Sequence, residues 1–445
     1  MCDMLGVGGF WDGRSREGFF FFGCWGVYFM AIRNTMAYAD ELDRQEPLAH
    51  MRDRFVIDDP DLIYLDGNSL GRLPKATTEL VREIVQQQWG GRLIRGWNEG
   101  WLTAPQRVGA KIARLIGAQP DEVIVADSTS VNFFKLVVAA LRYQQGRTHI
   151  LTDNLNFPSD LYILQGVLDL SGLQHSLQVV PSPDGIHGPV AELQALVSTQ
   201  TALLTLSHVT YKTGYMYDMT TMTEAAHAVG AMTLWDLSHS VGSVPVNLNA
   251  AGADMAIGCS YKYLNGGPGA PAFLYIRRDL QDKLRNPLFG WMGHKDSFAF
   301  GPEYEPASDL RHFLVGTPPI ISLALIETGV DVLLEAGIEQ LRAKSVRQSE
   351  YLIGLWESEL QPLGFRLHSP RDARSRGSHV SLGHAEGARI EQALVHEMKV
   401  LPDFRPPDTI RLGIAPIYTT FREIHAGVMR LSQVITKRLY EGYPH

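Results

Sequence analysis

From about residue 76 onward the apolar positions follow two alternating rhythms. ATTELVREIVQQQW (76–89) and APQRVGAKIARLIG (104–117) space their apolar side chains three and four apart, as one buried helix face requires. Between such segments lie short apolar runs: EVIVAD (122–127), HILTD (149–153), TALLTLSHV (201–209), MTLWD (232–236), MAIGCS (255–260) and AFLYI (272–276). These read as strands buried on both faces, and strands of that kind separated by helices predict a mainly parallel sheet, covered on both sides, with βαβ order throughout. At 301–319, GPEYEPASDLRHFLVGTPP, the chain turns to Pro, Gly and charge, and a long helical tract follows from Ser322 through Leu360. The remainder mixes strands (HVSLG, 379–383; TIRLGIA, 409–415) with helices (ARIEQALVHEM, 388–398; FREIHAGVMRLSQVITKRLY, 421–440). The pattern therefore predicts an extension over 1–35, an arm over 36–75, a large α/β domain over 76–318 and a smaller α+β domain over 319–445.

Composition narrows the function classes. The chain has 40 Lys+Arg against 48 Asp+Glu, a net charge of −8, and lacks a long basic run, which argues against a nucleic-acid partner. Its three cysteines, Cys2, Cys24 and Cys259, form no CxxC pair, so neither a disulfide framework nor a thiolate zinc site is expected and a reducing, cytoplasmic setting fits. The apolar stretch 19–32, FFFFGCWGVYFMAI, is shorter than the roughly 20 residues that span a bilayer, but it has the length of a signal-peptide core. Arg33 and the aromatic bulk suit such a signal poorly. The expectation is an upstream extension, with Met30 and Met36 as alternative starts, and no membrane association. The sequence contains no HExxH zinc pair and no GxxxxGK[ST] phosphate loop.

Candidate chemistry gathers where the apolar runs end, since ligands of open parallel sheets sit beyond the carboxyl ends of the strands. MAIGCS opens into Tyr261-Lys262 and a glycine-rich stretch, Gly266-Gly267-Pro268-Gly269. A partly desolvated lysine there is a nucleophile toward an aldehyde, although a lysine at a strand end more often only reaches for solvent. MTLWD ends in Asp236, a partner for a protonated pyridine nitrogen or equally a helix cap. EVIVAD leads to Thr129 and Ser130 at a helix start, which suits a phosphate or an ordinary cap. Jointly the three describe a cofactor with an aldehyde, a pyridine nitrogen and a phosphate, that is, pyridoxal 5′-phosphate.

The segments YLDGNSLG (64–71), NFPSD (156–160), WDLSHSVG (235–242), CSYKYLNGGPGAP (259–271), GWMGH (290–294) and GTPPI (316–320), in this order, resemble the kynureninase family over about residues 50 to 440. Kynureninases are fold-type-I pyridoxal-phosphate enzymes of the aminotransferase class V group. The resemblance implies a mainly parallel seven-stranded sheet in the large domain and a homodimer with shared active sites. It implies that Lys262 carries the cofactor and moves protons, that Asp236 holds the pyridine nitrogen and that Phe157 stacks on the ring. Asp160, Ser207 and His239 would surround the cofactor; Thr129, Ser130 and Tyr261 would bind its phosphate, with Trp291 and Thr317 arriving from the partner subunit. Arg411 would bind the substrate carboxylate, and Ser69, Trp97 and His294 would line the aryl-ketone pocket. Tyr261 is also a candidate acid/base.

The implied reaction is hydrolysis of the Cβ–Cγ bond of L-kynurenine to anthranilate and L-alanine, a step of tryptophan catabolism. Animal-type members carry histidine and asparagine at the positions aligned with Trp97 and Thr317 and favour 3-hydroxykynurenine. Tryptophan and threonine here imply a preference for L-kynurenine, because a narrower slot without a partner for the added hydroxyl gains nothing from it. Two rivals share the constellation: another class V enzyme such as an aminotransferase, and a non-catalytic cofactor binder. A cysteine desulfurase would need a mobile cysteine in the second half of the chain, where none follows Cys259.

Overall fold

The computed structural model describes residues 34–171 and 175–444. The extension expected over 1–35 lies outside them except for Asn34 and Thr35. Among the described residues, thirteen strands form three sheets. Their ranges are β1 Ile63–Tyr64, β2 Val123–Val125, β3 His149–Asp153, β4 Ser176–Val180, β5 Thr201–Ser207, β6 Met232–Asp236, β7 Met255–Gly258, β8 Phe273–Ile276, β9 Arg366–Leu367, β10 Val380–Gly383, β11 Val400–Leu401, β12 Asp403–Arg405 and β13 Thr409–Leu412.

The main sheet has seven strands in the order β2-β8-β7-β6-β5-β3-β4. Alternation along each strand divides its apolar residues between two cores. Val123, Val125, Leu204, Leu206, Trp235, Ala256, Phe273 and Tyr275 pack on one face with the helices Ala104–Leu115, Met219–Ala228 and Ile320–Ala336. Ile124, Leu203, Leu234, Met255, Ile257, Leu274 and Ile276 pack on the other with Thr129–Tyr143 and Pro158–Ser171. A third core lies between the antiparallel sheet β12-β13-β10-β9 and the helices Ile338–Leu355, Gly387–Met398 and Phe421–Thr436.

Several boundaries differ from the pattern. The order is not βαβ throughout: β8 runs antiparallel to both β7 and β2, and the link from β7 to β8 contains no helix. That link turns on residues with positive φ, Asn265 (55°), Gly267 (88°) and Gly269 (73°), a geometry that suits glycine and asparagine, so the glycine-rich stretch is a reversal rather than a helix entrance. The tract from Ser322 breaks at Gly337 (φ 79°) into two helices. The helix predicted over 76–89 widens to a π-helix across Ile84–Arg92, where Gly90 and Gly91 weaken the regular ladder. β4 escaped the pattern because it is an edge strand with three exposed residues in SLQVV, and so lacks a continuous apolar run.

Candidate active site

The parallel strands β7, β6 and β5 end side by side, so Ser260 to Lys262, Asp236 and Ser207 emerge along one margin of the sheet. β2 points the same way, being antiparallel to β8 as β7 is, and delivers the start of helix Thr129–Tyr143 to that margin. One cavity results, lined by Thr129, Ser130, Phe157, Asp160, Ser207, Asp236, His239, Tyr261 and Lys262, nine of the residues singled out from the sequence.

In the wall of this cavity, Ser128 caps the helix by accepting a hydrogen bond from the Val131 amide (3.3 Å). The amides of Thr129 and Ser130 have no hydrogen-bond partner among the described residues, as expected in a first helical turn. The Ser130 and Ser159 hydroxyls are bonded at 2.8 Å, which brings the start of the next helix, Pro158–Ser171, to the same place. Free amides, hydroxyls and the positive ends of two helices make a seat for a phosphate.

In the same wall, Asp236 is buried and its Oδ1 accepts from the Ser238 amide (2.8 Å) and hydroxyl (2.6 Å), which leaves Oδ2 without a hydrogen-bond partner among the described residues. Burial pushes its carboxyl above the ordinary range, opposed by Ser238 and Lys262. Asp160 is pushed well above it, by burial and then by the charge of Asp236. Lys262 Nζ lies 3.0 Å from His239 Nε2 and 5.9 Å from the ring centroids of both Phe157 and Tyr261. His239 is held far below the usual imidazole range, first by burial and then by the charge of Lys262, so it stays neutral. Burial likewise raises the Tyr261 phenol, which stays protonated at neutral pH. Two buried carboxyls thus face a single lysine. A protonated pyridine nitrogen would supply the further positive group this charge pattern accepts, and the unpaired amides of Thr129 and Ser130 would be available to a phosphate, so the donor set fits pyridoxal phosphate.

Arg411, on β13, is 1 % exposed; its Nη1 donates to the Tyr211 carbonyl (2.6 Å) and its Nη2 to Ser69 Oγ (2.6 Å) and to the Asp403 carboxylate. Tyr211 also lines the Lys262 cavity and meets Phe157 edge to face at 5.2 Å, so Arg411 and Ser69 adjoin that cavity through Tyr211. The remaining four sequence candidates stand apart from it in the single chain. Trp291 and His294 line a second, aromatic cavity with Phe289, Phe300 and Tyr304. Trp97 is half-buried, edge-on to Trp101, and Thr317 is exposed.

Sequence reasoning assigned no role to Ser128, Ser159, Ser238, Tyr211 or Asp403. The first two were within reach, since each stands at a helix start beside a residue already singled out. Tyr211 and Asp403 carry no local signal, because only strand pairing and chain reversal bring them to Arg411. Cys259 is buried and its thiol is raised by burial, the opposite of an activated nucleophile. Among the described residues no cluster of His, Cys, Asp and Glu is placed to hold a metal ion, and no helix is long and apolar enough to cross a membrane.

Comparison with known proteins adds independent findings. Residues 341–431 match the family model for the kynureninase C-terminal domain. The chain is 43% identical over 404 residues to a kynureninase of Pseudomonas fluorescens, covering 90% of this chain and 95% of that one. It is 40% identical over 406 residues to a kynureninase of Burkholderia mallei, with the same coverage. Among solved structures it is similar to a cysteine desulfurase of Thermococcus onnurineus, with a TM-score of 0.74 and 18% identity over 89% of this chain and 98% of that one. It is also similar to a variant of C-DES with glycine covalently linked to its PLP cofactor, with a TM-score of 0.73 and 18% identity over 84% and 97% of the two chains. The structural likenesses establish the α/β fold of class V pyridoxal-phosphate enzymes, and the sequence relatives show that this chain belongs to the kynureninase family.

Proposed function

We propose that the protein is a kynureninase, which uses pyridoxal 5′-phosphate to hydrolyse the Cβ–Cγ bond of L-kynurenine. The observation that carries this reading is the placement of Lys262, Asp236 and the uncapped amides of Thr129 and Ser130 around one cavity, with Arg411 adjoining it. When bound, the cofactor supplies an electrophilic carbon for the substrate amine and an electron sink for charge left on Cα.

The chain's own residues do the rest. Thr129 and Ser130 hold the phosphate, Asp236 the pyridine nitrogen, and Phe157 covers the ring; Asp160, Ser207 and His239 close the surroundings. Lys262 Nζ takes the proton from Cα and is kept in place by neutral His239 at 3.0 Å. Arg411 anchors the α-carboxylate, as a buried guanidinium favours. Tyr261, a phenol that stays protonated, donates toward the γ-oxygen as water attacks Cγ. The Cβ–Cγ bond breaks, the water's hydroxyl stays on the acyl carbon, and a proton goes to Cβ, so kynurenine and water become anthranilate and alanine. Trp291 and Thr317 complete the phosphate site from the second subunit of a homodimer, and Trp97 and His294 with Ser69 bound the aryl group. A cytoplasmic setting and a role in tryptophan catabolism follow from this reading.

Adding L-kynurenine to the purified holoenzyme should release fluorescent anthranilate and L-alanine in equal amounts; a keto acid in their place would identify an aminotransferase. The kcat/KM for L-kynurenine should exceed that for 3-hydroxykynurenine, and the reverse order would overturn the preference ascribed to Trp97 and Thr317.

A further inference from the structure

The register of the smaller sheet sets two carboxylate-binding cations around one carboxylate. In the β12–β13 pair Asp403 is the Cα partner of Arg411 and Arg405 that of Thr409, so Asp403 and Arg405, two residues apart, share a face. β12 is the outer strand, bonded to β13 alone. Asp403 Oδ2 accepts from Arg411 Nη2 and from the Ser69 hydroxyl (3.3 Å), and it is ion-paired with Arg405 Nη2 at 2.8 Å.

The donor count on Arg411 then matters. A carboxylate bound in bidentate fashion uses one of two forks of a guanidinium, Nη1 with Nη2 or Nε with Nη2, and Nη2 belongs to both. Both Nη2 hydrogens are engaged, one by Ser69 and one by Asp403, while Nε is buried without a partner. Neither fork is open as the chain stands. An incoming carboxylate seats on Arg411 in bidentate fashion only if Nη2 gives up one of these two acceptors, and Asp403 alone has a second cation within reach.

We propose that Asp403 is an internal stand-in for the substrate carboxylate. It occupies Arg411 in the ligand-free chain, yields the guanidinium to the α-carboxylate of an arriving amino acid and stays paired with Arg405. Every cation keeps an anionic partner through the exchange, so Arg411 is never left buried and uncompensated. Asp403 is then a specificity-determining residue, since a ligand must offer a carboxylate able to replace it. This inference rests on the reading of Arg411 as the carboxylate site.

The test titrates the cofactor-loaded full chain with L-alanine by calorimetry. Asp403→Asn should tighten binding about fivefold or more, by removing the competitor. Arg405→Gln should weaken it by a similar factor, because displaced Asp403 loses its remaining cation, and should have no further effect in the Asp403→Asn background. Weaker or unchanged binding in Asp403→Asn, or an equal effect of Arg405→Gln in both backgrounds, overturns the exchange. Arg405 is partly exposed, so its single variant tests the idea even where Asp403→Asn folds poorly. Arg411→Lys separates the two claims: if it leaves L-alanine affinity unchanged, the reading of Arg411 fails; if it weakens binding while Asp403→Asn does not tighten it, only the exchange fails.

Discussion

Tyr261 and Asp66 show how burial sets what a single residue can do. The Tyr261 phenol, raised by desolvation, is a proton donor at neutral pH, and Tyr261→Phe keeps its ring while removing the proton. Turnover of Tyr261→Phe should fall about 100-fold or more with cofactor affinity less affected; a rate close to wild type would take Tyr261 out of the proton chain. Asp66 lies 3.9 Å from Arg411, yet burial, and to a lesser degree Asp403, lift its carboxyl to about 6. Between about pH 4 and 6 the folded chain therefore holds a proton that the unfolded chain, with a carboxylate near its ordinary value, has lost. The stability this group contributes is full below about pH 4 and disappears as pH rises through about 6. Asp66→Asn cannot ionise, so it should match wild type near pH 4 and exceed it by about 2 kcal/mol near pH 7, a figure reduced for the partial exposure of the side chain. Urea unfolding at both pH values checks this, and an unchanged gap would contradict it.

At the scale of elements, the site depends on how closely a helix packs under the lysine segment. A Cβ at Gly329, on helix Ile320–Ala336, would lie 2.0 Å from the Leu264 carbonyl, two residues past Lys262. Gly329→Ala should push that segment away, costing about 1–3 kcal/mol of stability and weakening cofactor retention. Thermal melts together with an absorbance titration of pyridoxal phosphate would measure both, and wild-type values for the two would show that the segment does not depend on this contact. Other elements show where pattern reading succeeds. Helix Phe421–Thr436 was legible because its apolar stripe follows a capping box, Thr420 with Glu423. The two-residue strands β1, β9 and β11, like three-residue β12, were not, because their identity comes from distant partners such as Val400 opposite Ile63 rather than from their own composition.

For the whole molecule, Trp291 and Thr317 are the two sequence candidates that the proposed dimer would carry to the other subunit's site, and the exposed Phe298 and Phe300 have their rings against Trp291. If Trp291 serves the partner's site, mixing inactive Lys262→Ala and Trp291→Ala chains should form mixed dimers holding one intact site each. Full exchange should restore about a quarter of wild-type activity, whereas sites built within one subunit would restore none. The sequence by itself determined the sheet strands with continuous apolar runs, the helices with clean stripes, and the residues at strand ends where a ligand of such a sheet must lie. Those features are local, because periodicity and strand-end chemistry are written in neighbouring residues. Only the tertiary structure decided that β8 reverses, that Ser128 and Ser159 meet, and that Arg411 is already engaged by Asp403, Ser69 and Tyr211. Each of those depends on strand register or on contact between residues far apart in the chain, and a one-residue slip of β12 against β13 would turn Asp403 to the opposite face.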